Sequence, residues 1–402
     1  MSNGGFAEER LRRMHDVLAG YVERSEVCGL VALAARRDEV HAAVIGSLGD
    51  GGEPMRRDSI VRIASMTKPV VAVAALILVE ECRLRLDEPL DRWLPELADR
   101  RVLRRIDGPL DDTVPAARRI TLRDLLTFTL GFGLLLAPPD AYPILRAASA
   151  AQLGLGPPNP AEIPAPDEWL RRFGSLPLMY QPGERWLYNT GSDVLGVLIA
   201  RAAGQPLEQF CRERIFEPLG MKDTGFSVPP GQIHRLATAY QVDPKSGERV
   251  VFDPAAGGKW SSPPAFPSGA GGLVSTADDY LAFARMLLGG GRLGGVRILA
   301  RPSVEAMVSD QLTPPQKAGG ALLPGYFETH GWGFGVSVVT SRSGPAEVPG
   351  SYGWDGGLGT SWRSDPHEHL ITIMLTQTAW TAPRPPNVCL DFWTCAYAAI
   401  DD

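Results

Sequence analysis

The sequence predicts a mixed α/β protein whose sheet is assembled from both ends of the chain, with a mostly helical region inserted between them. Three observations carry that reading. Two strand patterns, residues 27–35 and 40–45, flank the polar turn Arg36-Arg37-Asp38-Glu39 near the N-terminus. Short β patterns return only late, at 333–339, 359–363 and 370–376. Helical spacing dominates between them, which is the element order of an α+β layered protein.

Taken in order, residues 8–22 place Leu11, Met14, Val17, Leu18 and Tyr21 at helical spacing ahead of the first hairpin. The apolar run 70–79 follows Pro69. Proline there removes an amide and crowds the carbonyl four residues back, which only the first turn of a helix tolerates, so Ser65 is placed at a helix's N-terminal end. Residues 84–94 are rich in turns. Ile120-Thr121-Leu122-Arg123-Asp124 restarts a helix, with Thr121 and Asp124 as a capping pair. Eight prolines between 137 and 166 read as a long surface loop, either a lid over a site or a plain connector. Helices come next at 193–203 and 207–216, broken by Gly204-Gln205-Pro206. Residues 252–272 are again rich in Gly, Pro and Ser, 275–288 return to helix, and 389–400 close the chain with another. No internal repeat interrupts this order.

The bulk numbers narrow the class. With 402 residues the chain has length for two or three domains, and 44% hydrophobic against 21% charged residues is enough for a sizeable core. A net charge of −6 gives no basic field for nucleic acid or anionic lipid, which leaves a small molecule as the expected partner. The run 70–79 is half the length of a membrane span, so no transmembrane segment is expected. Five cysteines without a Cys-x-x-Cys spacing read as reduced thiols, and Met1-Ser2-Asn3-Gly4-Gly5-Phe6-Ala7-Glu8-Glu9-Arg10 lacks the apolar core of a secretory signal. Both point to the cytoplasm.

The chemistry begins with a lysine. Only five lysines stand among 40 basic residues, and Lys68 is one of them, in Ser65-Met66-Thr67-Lys68-Pro69. Lysine in an apolar setting can lose its proton and act as a base, which arginine cannot. Residues i and i+3 of a helix are neighbours, so Lys68 can reach the Ser65 hydroxyl and activate it as a nucleophile. With 22 serines in the chain, chance alone supplies roughly 0.3 such matches, so the motif gains its weight from two segments further down the chain.

In the first of these, Pro182-Gly183-Glu184-Arg185-Trp186-Leu187-Tyr188-Asn189-Thr190, Tyr188 precedes a helix on a turn, free to point into a cleft, where a cationic lysine would favour its phenolate. In the second, glycine density in Trp354-Asp355-Gly356-Gly357-Leu358-Gly359 lets backbone approach a ligand, and the amides of Ser65 and Gly357 could together hold a developing oxyanion.

In order and spacing, these three segments resemble the motifs of class C serine β-lactamases, penicillin-binding proteins and family VIII carboxylesterases, over residues 10 to 400. The resemblance implies a β-lactamase/transpeptidase-like sandwich, an antiparallel sheet flanked by helices, formed by 1–80 and 270–402. It implies a mostly helical domain at 81–269 with proline-rich loops, and a site between the two. Ser65 would be the acyl-accepting nucleophile, Lys68 its base, Tyr188 a second base or proton relay, and Gly357 an oxyanion donor. No metal or cofactor is implied.

Two departures bear on substrate. Relatives acting on β-lactams and cell-wall peptides open the third motif with a cation that holds a substrate carboxylate, and this chain has Trp354, which suits an apolar acyl or alcohol group. Many relatives carry asparagine where Thr190 stands. Trp354, Asp355, Gly356 and Thr190 are therefore the expected substrate contacts, and cleavage of carboxylic esters through an acyl-serine is the expected reaction. Acyl transfer, hydrolysis of β-lactams or D-amino-acid amides, and a catalytically silent binding module are the alternatives. No Gly-x-Ser-x-Gly elbow occurs, and His367-Glu368-His369 follows Asp365-Pro366 in an expected hairpin turn rather than a zinc site.

Overall fold

The computed structural model describes residues 5–402; Met1 to Gly4, the start of the segment without a secretory core, lie outside the described residues. Its centre is a seven-stranded, wholly antiparallel sheet. The strands are β1 (Gly29–Arg36), β2 (Glu39–Gly46), β3 (His330–Trp332), β4 (Ser337–Val339), β5 (Tyr352–Gly356), β6 (Thr360–Asp365) and β7 (Leu370–Thr376). Their spatial order is β3-β4-β5-β6-β7-β1-β2, so the last strand of the chain pairs with the first. Ala32 stands opposite Met374 on one side and Ala43 on the other.

Every residue of β1 is buried because both faces of the sheet are covered. Leu30, Ala32 and Ala34 meet α1 (Glu8–Glu23) and the C-terminal helix Asn387–Ala398 through Leu11, Met14, Leu18 and Phe392. Val31, Leu33 and Ala35, pointing the other way by the two-residue period of a strand, join a larger core with Tyr280 and Phe283 of the helix Ala277–Leu288. That core runs on through α2 (Thr67–Glu80), buried from Thr67 to Leu78, into the helix Thr190–Ala203. Each Val, Leu, Met or Phe side chain so enclosed contributes about 1.5–3 kcal/mol.

The chain leaves and re-enters the sheet-forming part side by side, where Val61–Arg62 pairs with Val274–Ser275. Among the described residues no helix is long and apolar enough to cross a membrane.

The structure departs from the sequence reading in two places. The proline-rich stretch contains a helix, Pro143–Ala150, and another starts at Pro166, because proline at the first helical position gives up an amide that would be unpaired anyway. The β pattern at 333–339 is divided, with a turn at 333–336 between β3 and β4; a Cβ at Gly333 would lie 2.0 Å from the Met307 carbonyl. Alongside its helices the region between 81 and 269, expected to be mostly helical, holds two short strand pairs, Arg101–Leu103 with Thr113–Pro115 and Ala239–Val242 with Arg249–Asp253. The expected Thr121–Asp124 capping box is present, and 366–369 forms the turn between β6 and β7.

Candidate active site

Ser65 is presented by a turn held from several directions. It lies on a short 3₁₀ turn, Ala64–Met66, that runs into α2, so it precedes the helix proper rather than occupying its first turn. Arg62, buried, donates from Nε to Asp253 Oδ2 at 2.7 Å and from a terminal nitrogen to the Ala237 carbonyl at 2.5 Å. The Ile63 carbonyl accepts from Thr360 Oγ1 at 3.1 Å, and the Met66 carbonyl from the Tyr280 hydroxyl at 2.9 Å. These contacts sustain a left-handed Ala64, with φ of +43°, a conformation that costs a non-glycine residue about 1–3 kcal/mol. The turn leaves Ser65 partly exposed beside a wholly buried lysine.

Lys68 Nζ donates to Ser65 Oγ at 2.9 Å and to the Ala270 carbonyl at 2.6 Å. Both acceptors are neutral. Burial pushes the ammonium well below its ordinary range, and Asp193 partly offsets that effect. Asp193 is itself buried, which raises its carboxyl against the hydrogen bonds from Ser268 Oγ at 2.7 Å and the Ala270 amide at 3.1 Å.

Tyr188 is brought to the same point by a strained turn. Asn189 has φ +86° and ψ −68°, and the Thr190 amide donates back to the Tyr188 carbonyl at 3.3 Å, a γ-turn that reverses the chain immediately before its helix. Lys68 Nζ sits 4.5 Å from the centroid of the Tyr188 ring, so it faces the ring. The expected phenolate is not favoured here: burial pushes the phenol up and outweighs its hydrogen bonds with Ser65 and Trp354. Trp354 Nε1 donates to the Tyr188 hydroxyl at 2.7 Å.

Gly356 and Gly357 differ in what surrounds them. A Cβ at Gly356 would lie 2.3 Å from the Ile63 carbonyl, so the bare backbone of β5 fits against the serine turn. Gly357 stands at the open end of the β5–β6 hairpin with nothing within 4 Å of a Cβ. Its carbonyl accepts from the Trp380 amide at 2.9 Å, whereas among the described residues neither the Gly357 amide nor that of Ser65 donates to a backbone carbonyl. Two free amides at the rim of one cavity can bind an oxyanion.

That cavity holds about 700 Å³ and is lined by Ser65, Tyr188, Asn189, Gly357, Phe252 and Trp380, among others. Gly154 to Pro158, from the proline-rich stretch, form part of its wall, and Asp193 reaches it as well. A second cavity of about 730 Å³ shares Leu134 and Tyr188 with it and is lined by Trp186, Tyr326 and Phe327.

Of the expected substrate contacts, none lines either cavity. Trp354 is 7% exposed and packed edge-on against Trp332, its polar edge committed to Tyr188. Asp355 is bound to Arg363 by two hydrogen bonds of 2.7 Å. Gly356 backs onto Ile63, and Thr190 is buried with Oγ1 unpartnered among the described residues. Residues 354–356 lie within β5, whose residues are buried or half-buried, and only Gly357 and Leu358 in the turn beyond it line the opening. Sequence reasoning missed Asp193, Ser268 and Ala270. The signal for the latter two was the Ser268-Gly269-Ala270-Gly271-Gly272 run, which marks a close backbone approach.

Comparison with known proteins gives the family and the fold. The beta-lactamase family pattern matches residues 14–387. Protein Rv1367c of Mycobacterium tuberculosis is 44% identical over 333 residues, spanning 82% of this chain and 80% of that protein. Esterase EstB of Burkholderia gladioli is 33% identical over 400 residues, 93% of this chain and 92% of its own. The solved structure of EstCE1, a hydrolase with promiscuous acyltransferase activity, superposes with a TM-score of 0.77 at 26% identity, covering 97% of this chain and 99% of that one.

Proposed function

Since the chain belongs to the beta-lactamase family, we propose that Ser65 is the nucleophile of a serine hydrolase acting on small carboxylic esters. Its likeness to esterase EstB and to EstCE1 supports ester hydrolysis or acyl transfer. The observation that carries the reading is the 2.9 Å contact between Ser65 Oγ and a buried lysine whose hydrogen bonds go only to neutral oxygens. Such a lysine is ready to give up its proton.

In this reading neutral Lys68 takes the Ser65 proton as Oγ attacks the ester carbonyl. The amides of Ser65 and Gly357 receive the negative oxygen. The C–O bond to the alcohol then breaks, and the alkoxide takes a proton from the Tyr188 phenol, which Lys68 replenishes. Acyl-Ser65 is resolved by water, giving a carboxylic acid, or by an alcohol, giving a new ester. Tyr188 thus works as a neutral proton carrier, in keeping with its raised phenol.

The two cavities meeting at Tyr188 fit the two halves of an ester on either side of its carbonyl. The third motif opens with Trp354 where relatives acting on β-lactams and peptides carry a cation, and among the described residues no cation lines the cavity that holds Ser65, which favours esters over anionic amides there. The unpaired state of all five cysteines supports a reducing compartment, the cytoplasm. Intact-protein mass spectrometry after a fluorophosphonate tests the nucleophile: one adduct on the wild type and none on Ser65→Ala is expected. A panel of short-chain p-nitrophenyl esters, a chromogenic cephalosporin and a D-amino-acid amide tests the substrate class. Faster turnover of the cephalosporin or amide than of the esters would refute it.

A further inference from the structure

Asp193 has no part in the proton path from Ser65 to the leaving alcohol, yet it is 5% exposed, faces the cavity and, among the described residues, is the one charge that acts on the Lys68 ammonium. Burying a carboxylate is costly unless hydrogen bonds and an opposite charge compensate. Its hydrogen bonds trace a route. The Ser268 hydroxyl donates to Asp193 Oδ1 at 2.7 Å and accepts from the amides of Ala270 and Gly271, each at 3.2 Å. The Ala270–Gly271 peptide, anchored at its N–H by Ser268, turns its carbonyl to Lys68 Nζ at 2.6 Å. The turn is pressed onto the Asp193 helix: a Cβ at Gly269 would lie 2.3 Å from the Ser192 carbonyl.

The geometry points to Asp193 as a positioning residue for the Lys68 base, holding through Ser268 the turn that supplies its carbonyl acceptor and balancing with its own charge the cation formed when the Ser65 proton arrives. The inference rests on the reading of Lys68 as the base. Asp193 exchanges no proton; its negative charge favours the ammonium form, so Lys68 is a stronger base than burial alone would leave it.

The other groups on elements packed against α2 leave that task to Asp193. Tyr188 offers its ring face, and the Tyr280 hydroxyl is committed to the Met66 carbonyl. Asp355 and Arg363 pair with each other. On the helix Leu207–Cys211, Glu208 is exposed and burial pushes the Cys211 thiol up.

Two variants separate charge from position. Asp193→Asn keeps an acceptor oxygen and drops the charge; Ser268→Ala keeps the charge and the direct bond from the Ala270 amide at 3.1 Å, and drops the relay through the hydroxyl. With only five lysines in the chain, lysine-selective ¹³Cε labelling, assigned with Lys68→Met, follows the Lys68 titration by NMR without reference to activity. In Asp193→Asn the Lys68 midpoint is expected to fall by about one pH unit or more, and the acid limb of p-nitrophenyl ester hydrolysis to move with it. In Ser268→Ala the midpoint stays and kcat falls by about tenfold or more with KM little changed. An unmoved Lys68 midpoint in Asp193→Asn overturns the charge balance, including the case in which Asp193 serves the fold alone. An unchanged kcat in Ser268→Ala overturns the relay. A shifted NMR midpoint in a protein without Ser65-dependent esterase activity would leave the charge coupling of Asp193 to Lys68 standing and remove the functional reading, and with it the positioning role, instead.

Discussion

Lys68→Arg is the substitution that most directly tests the proposed chemistry, because it keeps the charge and removes the base. The site gives the side chain two oxygens, Ser65 Oγ at 2.9 Å and the Ala270 carbonyl at 2.6 Å, in a pocket that leaves lysine 1% exposed. A guanidinium is longer, planar and carries five donors, so it overfills that space at a cost of about 1–3 kcal/mol in stability. The larger effect is kinetic. Arginine does not deprotonate near neutrality, and a positioned general base is worth roughly 10²–10⁴-fold. Misplacement of the serine turn adds to that, so kcat/KM for a p-nitrophenyl ester is expected to fall by about 10³-fold or more, or about 4 kcal/mol in the barrier. Steady-state hydrolysis would be read beside the thermal midpoint, with Lys68→Met as a companion that lacks both charge and base. Equal loss in the two variants, with folding kept, is the expected result. An arginine enzyme within about tenfold of wild type would refute the reasoning, since Lys68 would then act through its charge alone.

Three other outcomes rest on the same geometry. Activity should rise as pH climbs through the Lys68 titration, since the neutral amine is the base; burial lowers that titration, so the limb lies well below the ordinary lysine value of about 10.4, and a pH–rate profile with its midpoint at or above that value would contradict it. Trp354→Phe removes the 2.7 Å hydrogen bond to Tyr188 and should lower kcat about 3–10-fold, the worth of one neutral hydrogen bond, with KM nearly unchanged; a large rise in KM would instead place Trp354 against the substrate. Gly356→Ala puts a methyl 2.3 Å from the Ile63 carbonyl and should cost about 100-fold in kcat, whereas Gly357→Ala, with open space around it, should stay within a few-fold; equal activity of the two would show that β5 does not support the serine turn.

What the sequence determined by itself is whatever lies within one turn or one strand. Ser65 and Lys68 are three residues apart, so their contact comes from local helical geometry once Pro69 marks the helix start. The hairpin of β1 and β2, the Thr121–Asp124 box and the order of strands and helices are legible for the same reason: period and punctuation are properties of short segments. Proline counts misled at 143 and 166, where proline opens a helix instead of preventing one.

Only the tertiary structure decided what faces what. Tyr188 and Trp354 meet across 166 positions, and nothing in either local pattern tells that the tryptophan's polar edge turns to the tyrosine instead of to a substrate. The phenol's charge state was likewise out of reach, because burial, which no motif spells out, outweighs the hydrogen bonds from Ser65 and Trp354 that would favour the phenolate. Asp193 reads in sequence as a helix-initiating acid; folding encloses it beside Lys68 and joins it to a glycine-rich turn 77 residues away. The sequence thus carried the reacting pair, whose contact is local, while the groups that tune it depend on desolvation and long-range packing that exist only once the chain has closed on itself.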